Sequence, residues 1–453
     1  FQPLYPRWPE HEVPFDHVTN GVHVPTWDSA MADTIWTKAC GKDRWRHEPE
    51  DMCDRIETVA DEALWALRGE ARAALVGNVR QILAFQLGGR GHPPEVVALS
   101  ETVLDANILT LGFARRFTAY KRPGLLLFDP ARLARLLCDE ARPVQLVIAG
   151  KAHPDDEAGK QMIQEWIGFA QERRYRRRVV FLEDYDISLA QQLVQGVDVW
   201  INTPRRPWEA CGTSGMKVLV NGGLNLSTLD GWWEEAYAPA LGWAIGDGRY
   251  AEADEQDRRD ADQLYAVLER EVVPAFYDRD IAGVPRAWVA RMRRSMVDLT
   301  IQFSASRMVR EYLDKAYLPA AQALRERVSD GAAAAKAMAA WDRHLRRDWP
   351  NVHIGEPDFT FQENGGEVSV PIYLGEISAD DVRVETYAEA TGEAAGEVIA
   401  LSHDGPIPGA TSGYLYRGRL LGRRPAGDYT VRVVPSHSGV RVPAEMPLIR
   451  WQR

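Results

Sequence analysis

Hydrophobic and polar positions divide the chain into four stretches with different periodicity. Residues 28–100 carry apolar side chains at helical spacing, most clearly over 51–83. Residues 104–250 alternate short apolar runs with amphipathic segments, and residues 260–349 return to helical spacing. From residue 350 onward, apolar and polar positions alternate between Gly, Pro and Asp turns, which predicts half-buried strands.

The second stretch predicts a parallel sheet. Apolar runs within ANILTLGFARRF, PVQLVIAGK, RVVFLEDY and VDVWINTP predict four strands, and DEAGKQMIQEWIGFAQERRY and SLAQQLVQ predict helices between them. Strands that alternate with helices form βαβ units. Ligands bind at the carboxyl ends of such strands. The segments GFARR, AGKAHP, EDYD and NTPRRPWEACGTSG follow the strands, so we expect the functional groups there.

Three regions are therefore expected in an α/β protein. Residues 1–100 would be a linker and helical segment, and residues 101–349 a Rossmann-like domain with C-terminal helices. Residues 350–453 would form a small β-sandwich domain. A helical connector ends at Pro350 and marks the last boundary.

Composition and charge exclude several classes of protein. The net charge of −11 weighs against general nucleic-acid binding, which needs a basic surface. No apolar run approaches the roughly 18 residues of a membrane span. The four cysteines have neither CxxC nor zinc-ligand spacing, so we expect no metal site and reduced thiols in a cytoplasm. The chain begins at Phe1 without a signal-peptide pattern, and this opening is typical of the middle of a longer protein.

The first candidate site is the segment PWEACGTSGMK. Small residues from Gly212 to Gly215 precede an apolar, helical run that starts near Met216. A turn of small residues before a helix presents free N–H groups to an anion. Lys217 would lie in the first turn of that helix. A tight turn whose lysine faces water explains the same composition, so the segment alone does not decide between the two.

A second basic segment favours anion binding. GFARRFTAYKR places Arg115, Arg116, Lys121 and Arg122 directly after a strand in an otherwise acidic protein. Arginine suits bidentate phosphate binding and lysine suits binding as a point charge. Two anion sites, one for each of two phosphates, would explain why both segments are present.

Together these motifs resemble one enzyme family. EACGTSGMK followed by NGGLNLSTLDG resembles the pyridoxal-phosphate signature of the α-glucan phosphorylases, and GFARRFTAYKR resembles that family's phosphate-binding segment. TNGVHVPTW, AGKAHP and EDYDISLA are similar to further family segments in the same order. The resemblance covers about residues 18–320 and implies the second, Rossmann-like domain of a GT-B-type glycosyltransferase.

The resemblance implies a cofactor site for pyridoxal 5'-phosphate. Lys217 would form the Schiff base with the cofactor. Arg115, Thr213 and Ser214 would hold the cofactor's phosphate, and Tyr185 would lie near its ring.

A substrate site is implied as well. Arg116 and Lys121 would hold the substrate phosphate and act with Lys217 as the catalytic groups. The hydroxyls of the glucosyl unit would be bound by Asn20, Tyr120, Glu209 and Gly212. Glu209 as a cap of its turn, and Asn20 in an Asn-Gly turn without a ligand, stay open as alternatives. Cys211 departs from the commonest residue of the family and is expected to contribute mainly backbone contacts.

The implied reaction is phosphorolysis of an α-1,4-glucan. Inorganic phosphate would take the terminal glucosyl unit as glucose 1-phosphate with retained configuration, and the cofactor's phosphate would relay a proton. The family's N-terminal half of the active site is not recognisable here. We therefore expect an N-terminal domain or chain as a partner, and weak or no turnover without it. The oligomeric state is open, with a homo-oligomer as one option.

Two other functions compete with this one. A nucleotide-sugar glucosyltransferase of the glycogen-synthase type would carry a second carboxylate eight residues after Glu209, where this chain has Lys217. A non-catalytic glucan-binding scaffold would use the tail domain and would bind no cofactor.

Overall fold

The computed structural model describes residues 1–46, 55–249, 251–362, 365–392, 395–420 and 424–452. Two compact units make up the chain. The first, here called the α/β unit, is Val18–Tyr312. The second, here called the β unit, combines Phe1–His17 with Leu313–Arg453.

A six-stranded sheet with the order β3-β2-β1-β4-β5-β6 organises the α/β unit, and every neighbouring pair in it is parallel. The four strands predicted from apolar runs are present as β1 to β4, and the strand order is that of a Rossmann-like fold. The predicted fold class is therefore confirmed. The strands are β1 (Leu109–Ala114), β2 (Val144–Ala149), β3 (Val179–Leu182), β4 (Val199–Asn202), β5 (Leu224–Thr228) and β6 (Gly242–Ile245).

Helices cover both faces of this sheet. Alternate residues of β2 enter different cores, with Leu146 and Ile148 in one and Val147 and Ala149 in the other. A strand buried on both faces needs apolar side chains at every position, which explains its continuous apolar run. The α-helices of the unit are Val24–Trp27, Ala30–Cys40, Asp61–Gly89, Pro94–Val97, Pro130–Cys138, Glu157–Gln171, Ile187–Gly196, Trp232–Ala236, Ala253–Val267, Val273–Tyr277, Arg286–Gln302 and Ala305–Tyr312.

The helix Asp61–Gly89 is fixed to the sheet by two buried arginines. Arg68 donates to the backbone carbonyls of residues 195–197 and 221, and Arg72 Nη1 lies 2.8 Å from Asp198 Oδ1. Burial lowers the pKa of Arg68 to about 10, although Asp198 opposes this effect. The helical pattern predicted over 51–83 lies partly outside the described residues. Its described part is interrupted at 58–60 before the helix begins at Asp61.

The β unit contains an antiparallel sheet of eight strands. β11 pairs with β10 through 397–401 and with β12 through 402–406, so one strand joins two differently paired parts of the sheet. The apolar sides of the strands form a separate core that includes Val370, Val384 and Val433. The strands are β7 (His353–Ile354), β8 (Asp358–Gln362), β9 (Gly365–Tyr373), β10 (Val382–Ala388), β11 (Glu397–Pro406), β12 (Gly413–Leu420), β13 (Thr430–Pro435) and β14 (Arg450–Trp451).

Two further segments belong to the β unit. The helix Leu318–Asp348 is interrupted by non-helical backbone at Ser329–Ala332, where Gly331 has a φ of +66°. At the other end of the sequence, buried Trp8 donates from Nε1 to the carbonyl of Pro447 at 2.9 Å. The division into regions at 100 and 349 stays a prediction. Among the described residues, no helix combines the length and the apolar composition needed to cross a bilayer.

Candidate active site

Predicted functional segments follow the carboxyl ends of neighbouring strands. β1 ends at Ala114, directly before Arg115, and β4 ends at Asn202, before the segment that contains Glu209. Because β1 and β4 are paired and parallel, these two segments start from the same edge of the sheet.

Glu209 joins the two segments through a largely buried ion cluster. Its Oε2 atom lies 2.5 Å from Arg115 Nη2 and 2.7 Å from Lys121 Nζ, and its Oε1 atom lies 2.8 Å from the same lysine nitrogen. Burial lowers the pKa of Arg115, while the charge of Glu209 opposes that shift. Arg115, Lys121 and Glu209, which the sequence analysis assigned to three different ligands, therefore contact one another directly.

Asp230 fixes the backbone of this segment. Its carboxylate accepts hydrogen bonds from the N–H groups of Glu209 and Gly231, both at 2.9 Å. Gly212 has a φ of +82°, a conformation that glycine adopts without strain. Burial raises the pKa of Asp230, and the two N–H groups oppose that shift. Asp230 was not among the predicted site residues, although an Asp-Gly pair two residues after the end of β5 indicates such a turn.

Lys217 lies in a short 3₁₀ helix, Gly215–Asn221. The predicted helical run is thus a 3₁₀ helix of seven residues. The half-buried amine lies 3.8 Å from the centre of the Trp27 ring. Within the described part of the chain it has no hydrogen-bond or ion-pair partner. Burial lowers its pKa from the ordinary value of 10.5.

Thr213 and Ser214 form the turn that precedes this helix. Ser214 Oγ accepts a hydrogen bond from Trp200 Nε1 at 3.1 Å, which ties the turn to β4. The backbone carbonyls of Thr213 and Ser214 accept from Met216 and Lys217. Both residues are half-buried.

Other predicted residues differ in how they relate to the ion cluster. The Tyr120 ring centre lies 4.7 Å from Lys121 Nζ. Burial raises the pKa of Tyr185 to about 12, and the nearby charge of Arg115 opposes that shift. Arg116 is exposed and makes no ion pair within the described residues. The structure therefore brings Tyr120 and Tyr185 towards the cluster but leaves Arg116 outside it.

Arg122, the fourth cation of the basic segment, has a structural environment. It is buried, and its Nη1 atom lies 2.9 Å from Asp257 and 2.7 Å from Asp260. It also donates to the carbonyls of Thr203 and Pro204. These contacts leave Arg122 no free charge for a ligand.

Asn20 lies against the same loop from the beginning of the α/β unit. Burial raises the pKa of the Cys211 thiol, and nearby Asn20 opposes that shift. The Asn20 carbonyl accepts a hydrogen bond from Arg307 at 3.3 Å. The Cys211 carbonyl accepts from Trp232 at 2.9 Å. Asn20 therefore lies near Cys211, the residue before Gly212, and its binding of a glucosyl hydroxyl stays a prediction.

Unsatisfied polar atoms test whether pyridoxal phosphate fits here. Arg115 Nε and Nη1 are buried without a hydrogen-bond partner in the described ranges, and so is Asn202 Oδ1 at the end of β4. Buried polar groups are normally satisfied, so the free guanidinium atoms indicate a place for an anion. The unpaired amine of Lys217 suits an aldehyde. The residues fit the cofactor. Among the described residues, no group of His, Cys, Asp and Glu side chains could hold a metal ion.

The parallel sheet with the order β3-β2-β1-β4-β5-β6 is consistent with the Rossmann-like domain of a GT-B fold. Residues 2–235 match the family described as carbohydrate phosphorylase, and residues 349–453 match the glycogen phosphorylase C-terminal domain. The chain therefore belongs to the carbohydrate phosphorylase family, as the resemblance of its motifs indicated.

Individual relatives are named glycogen phosphorylase or maltodextrin phosphorylase. The chain is 38% identical to a glycogen phosphorylase of Mycobacterium bovis, over 99% of this chain and 53% of that protein. It is 41% identical to a glycogen phosphorylase of Aquifex aeolicus, over 68% of this chain and 44% of the relative. A maltodextrin phosphorylase of Thermococcus litoralis is 36% identical over 98% of this chain and 53% of that protein. The chain thus spans about half the length of the curated relatives it matches.

Proposed function

We propose that this chain supplies the cofactor-binding half of an enzyme that phosphorolyses α-1,4-glucans. The observation that carries the proposal is the convergence of Arg115, Lys121 and Glu209 beyond the carboxyl ends of β1 and β4. Lys217 follows Glu209 by eight residues in the sequence. Relatives named glycogen phosphorylase and maltodextrin phosphorylase support the substrate class. The products are glucose 1-phosphate, with retained configuration, and a glucan shortened by one unit.

Pyridoxal 5'-phosphate is the cofactor in this proposal. When bound, its phosphate supplies a group that exchanges a proton during the reaction. Lys217 holds the aldehyde end through its amine. Burial supports this role, because a lowered pKa leaves more of the amine neutral at a given pH. The free Nε and Nη1 atoms of Arg115, with the hydroxyls of Thr213 and Ser214, bind the phosphate end, and Tyr185 flanks the ring.

Inorganic phosphate binds beside Lys121 and Arg116 in this proposal. Two phosphate groups in one site repel each other, so the site needs surrounding cations. Lys121 is already placed in the cluster, and exposed Arg116 turns towards the substrate when it binds. Glu209 then releases Lys121 and accepts hydrogen bonds from the hydroxyls of the glucosyl unit, together with Tyr120, Gly212 and Asn20.

Groups outside this sequence complete the cleft in our proposal. The basis is that the chain spans about half the length of its relatives. We expect weak or no turnover by these residues alone, and glucose 1-phosphate release once the remaining part of the protein is supplied. Release by the isolated chain at the full enzyme's rate would refute this part of the proposal.

Borohydride reduction tests the cofactor site directly. After incubation with pyridoxal phosphate, reduction and digestion, mass spectrometry should find a pyridoxyl-phosphate adduct on the peptide that contains Lys217. The variant Lys217→Arg should lose the adduct. Lys151→Arg, which removes an exposed lysine at the end of β2, should keep it. An adduct spread over several lysines, or none at Lys217, would contradict the assignment of Lys217 as the cofactor-binding lysine.

A further inference from the structure

A cavity lies at the β3 side of the parallel sheet, outside the candidate active site. It has a volume of about 310 Å³ and runs along β3, the outermost strand. The helices Asp61–Gly89 and Glu157–Gln171 contribute to its wall. None of the residues assigned to the candidate active site lines it. The main apolar lining residues are Leu83, Leu87, Leu99, Ile167, Ala170 and Phe181.

The rim of this cavity is cationic. Arg176 and Arg177 line it and are exposed, and neither side chain has a hydrogen-bond or ion-pair partner in the part of the chain that the structure describes. Arg90, also at the rim, is ion-paired with Glu183. Arg176 and Arg177 thus add two positive charges beside an apolar cavity in a chain of net charge −11. They produce a local positive potential at the mouth of the cavity.

We infer that this cavity binds a small organic anion with an apolar body. Its volume lies at the lower end of the range for ligand pockets, roughly 300–1,000 Å³. The apolar wall would take an alkyl or aryl group, because burying apolar surface is favourable. Arg176 and Arg177 would bind a phosphate or carboxylate in bidentate geometry at the mouth. Neither a neutral apolar molecule nor a bare inorganic anion uses both parts.

Octyl phosphate is the probe that tests this inference. Isothermal titration of the full chain should show one octyl phosphate bound per chain, with octanol and inorganic phosphate at least about tenfold weaker at this site. The variant Ala170→Phe fills the cavity and should abolish the binding. The double variant Arg176→Gln with Arg177→Gln should weaken it by about tenfold or more. Thermal unfolding of each variant checks that the α/β unit is intact.

Arg174→Gln is the matched control. Arg174 belongs to the same basic turn, but it pairs with Glu172 and lies over the Tyr175 ring, away from the cavity. This variant removes one charge from the turn and should bind octyl phosphate as the unmodified chain does. Equal weakening by Arg174→Gln would overturn the inference in favour of a diffuse charge effect. Octanol binding as tight as octyl phosphate binding would also overturn it.

The lipids of a membrane also combine an anionic headgroup with an apolar chain. A vesicle sedimentation experiment distinguishes membrane binding from binding of a free ligand. The chain should not sediment with phosphatidylglycerol vesicles, because the cavity is bounded by two helices and a strand and has room for one short chain. If the chain sediments with vesicles through Arg176 and Arg177 but does not bind free octyl phosphate, the inference of a soluble ligand is wrong. The two arginines then bind a membrane surface.

Discussion

Glu209 pairs with the two cations that we propose as phosphate ligands. Its carboxylate contacts Arg115 and Lys121, and all three side chains are largely buried. A carboxylate in this position keeps the two positive charges compensated until an anion arrives. The residue types were predictable from the motifs. The pairing was not, because it joins positions 94 residues apart in the sequence.

Glu209→Gln should make the stability of the α/β unit more dependent on phosphate. Without the carboxylate, Arg115 and Lys121 are left partly buried and uncompensated, so we expect a loss of about 3 kcal/mol in the free energy of unfolding. Added inorganic phosphate should restore more stability to this variant than to the unmodified chain. Thermal unfolding with and without phosphate measures both effects. Glu234→Gln, which removes an exposed partner of Arg206, should show neither.

Cofactor loading on Lys217 should depend on pH in a defined direction. Only the neutral amine reacts with an aldehyde, and burial lowers the pKa of Lys217. The labelling rate should therefore rise with pH and level off with a midpoint below 10.5, the ordinary lysine value. Reductive labelling at a series of pH values, followed by mass spectrometry of the Lys217 peptide, measures this midpoint. A midpoint at or above 10.5 would contradict the burial of the amine.

At the scale of elements, local pattern predicted the strands but not what fixes the helices to them. The apolar runs that became β1 to β4 are continuous because both faces of the sheet are covered. The helix Asp61–Gly89 has the expected apolar spacing, yet its position depends on Arg68 and Arg72. Arginines in a helical pattern suggest a solvated face. Only the fold shows that these two end at buried carbonyls and at Asp198.

Arg68→Ala should destabilise the α/β unit by about 3–5 kcal/mol. The substitution leaves four backbone carbonyls without their donor and weakens the compensation of buried Asp198. Denaturant unfolding measures the loss. Glu70→Ala, at an exposed position of the same helix, should change the free energy of unfolding by less than about 0.5 kcal/mol. Similar losses for both variants would show that the buried network contributes nothing specific.

At the scale of the whole molecule, the two compact units have separate hydrophobic cores. Separate cores favour separate unfolding transitions. Sequence alone predicted a β-rich tail from its alternating pattern. It did not predict that the first residues belong to that tail, because no periodicity in FQPLYPRWPEHE identifies a partner.

Trp8→Ala should lower one calorimetric transition and leave the other in place. The side chain is buried in the β unit and donates to Pro447, so its loss should cost about 3–5 kcal/mol. Pyridoxal phosphate should raise only the other transition, because the α/β unit contains its site. Leu4→Ala, at an exposed position in the same segment, should shift neither transition. A single transition that moves with both changes would contradict independent units.

The discontinuous composition of the β unit has a consequence for synthesis on the ribosome. Residues 1–17 are translated before the α/β unit, but the part of the β unit that buries Trp8 is made only after the whole α/β unit. During synthesis, the aromatic side chains of residues 1–17 therefore stay exposed while the α/β unit folds. Chaperones that bind unfolded chains can bind this segment during that interval. A rearranged gene that places this segment directly before the helix Leu318–Asp348, after the α/β unit, should shorten that exposure and raise the yield of native protein.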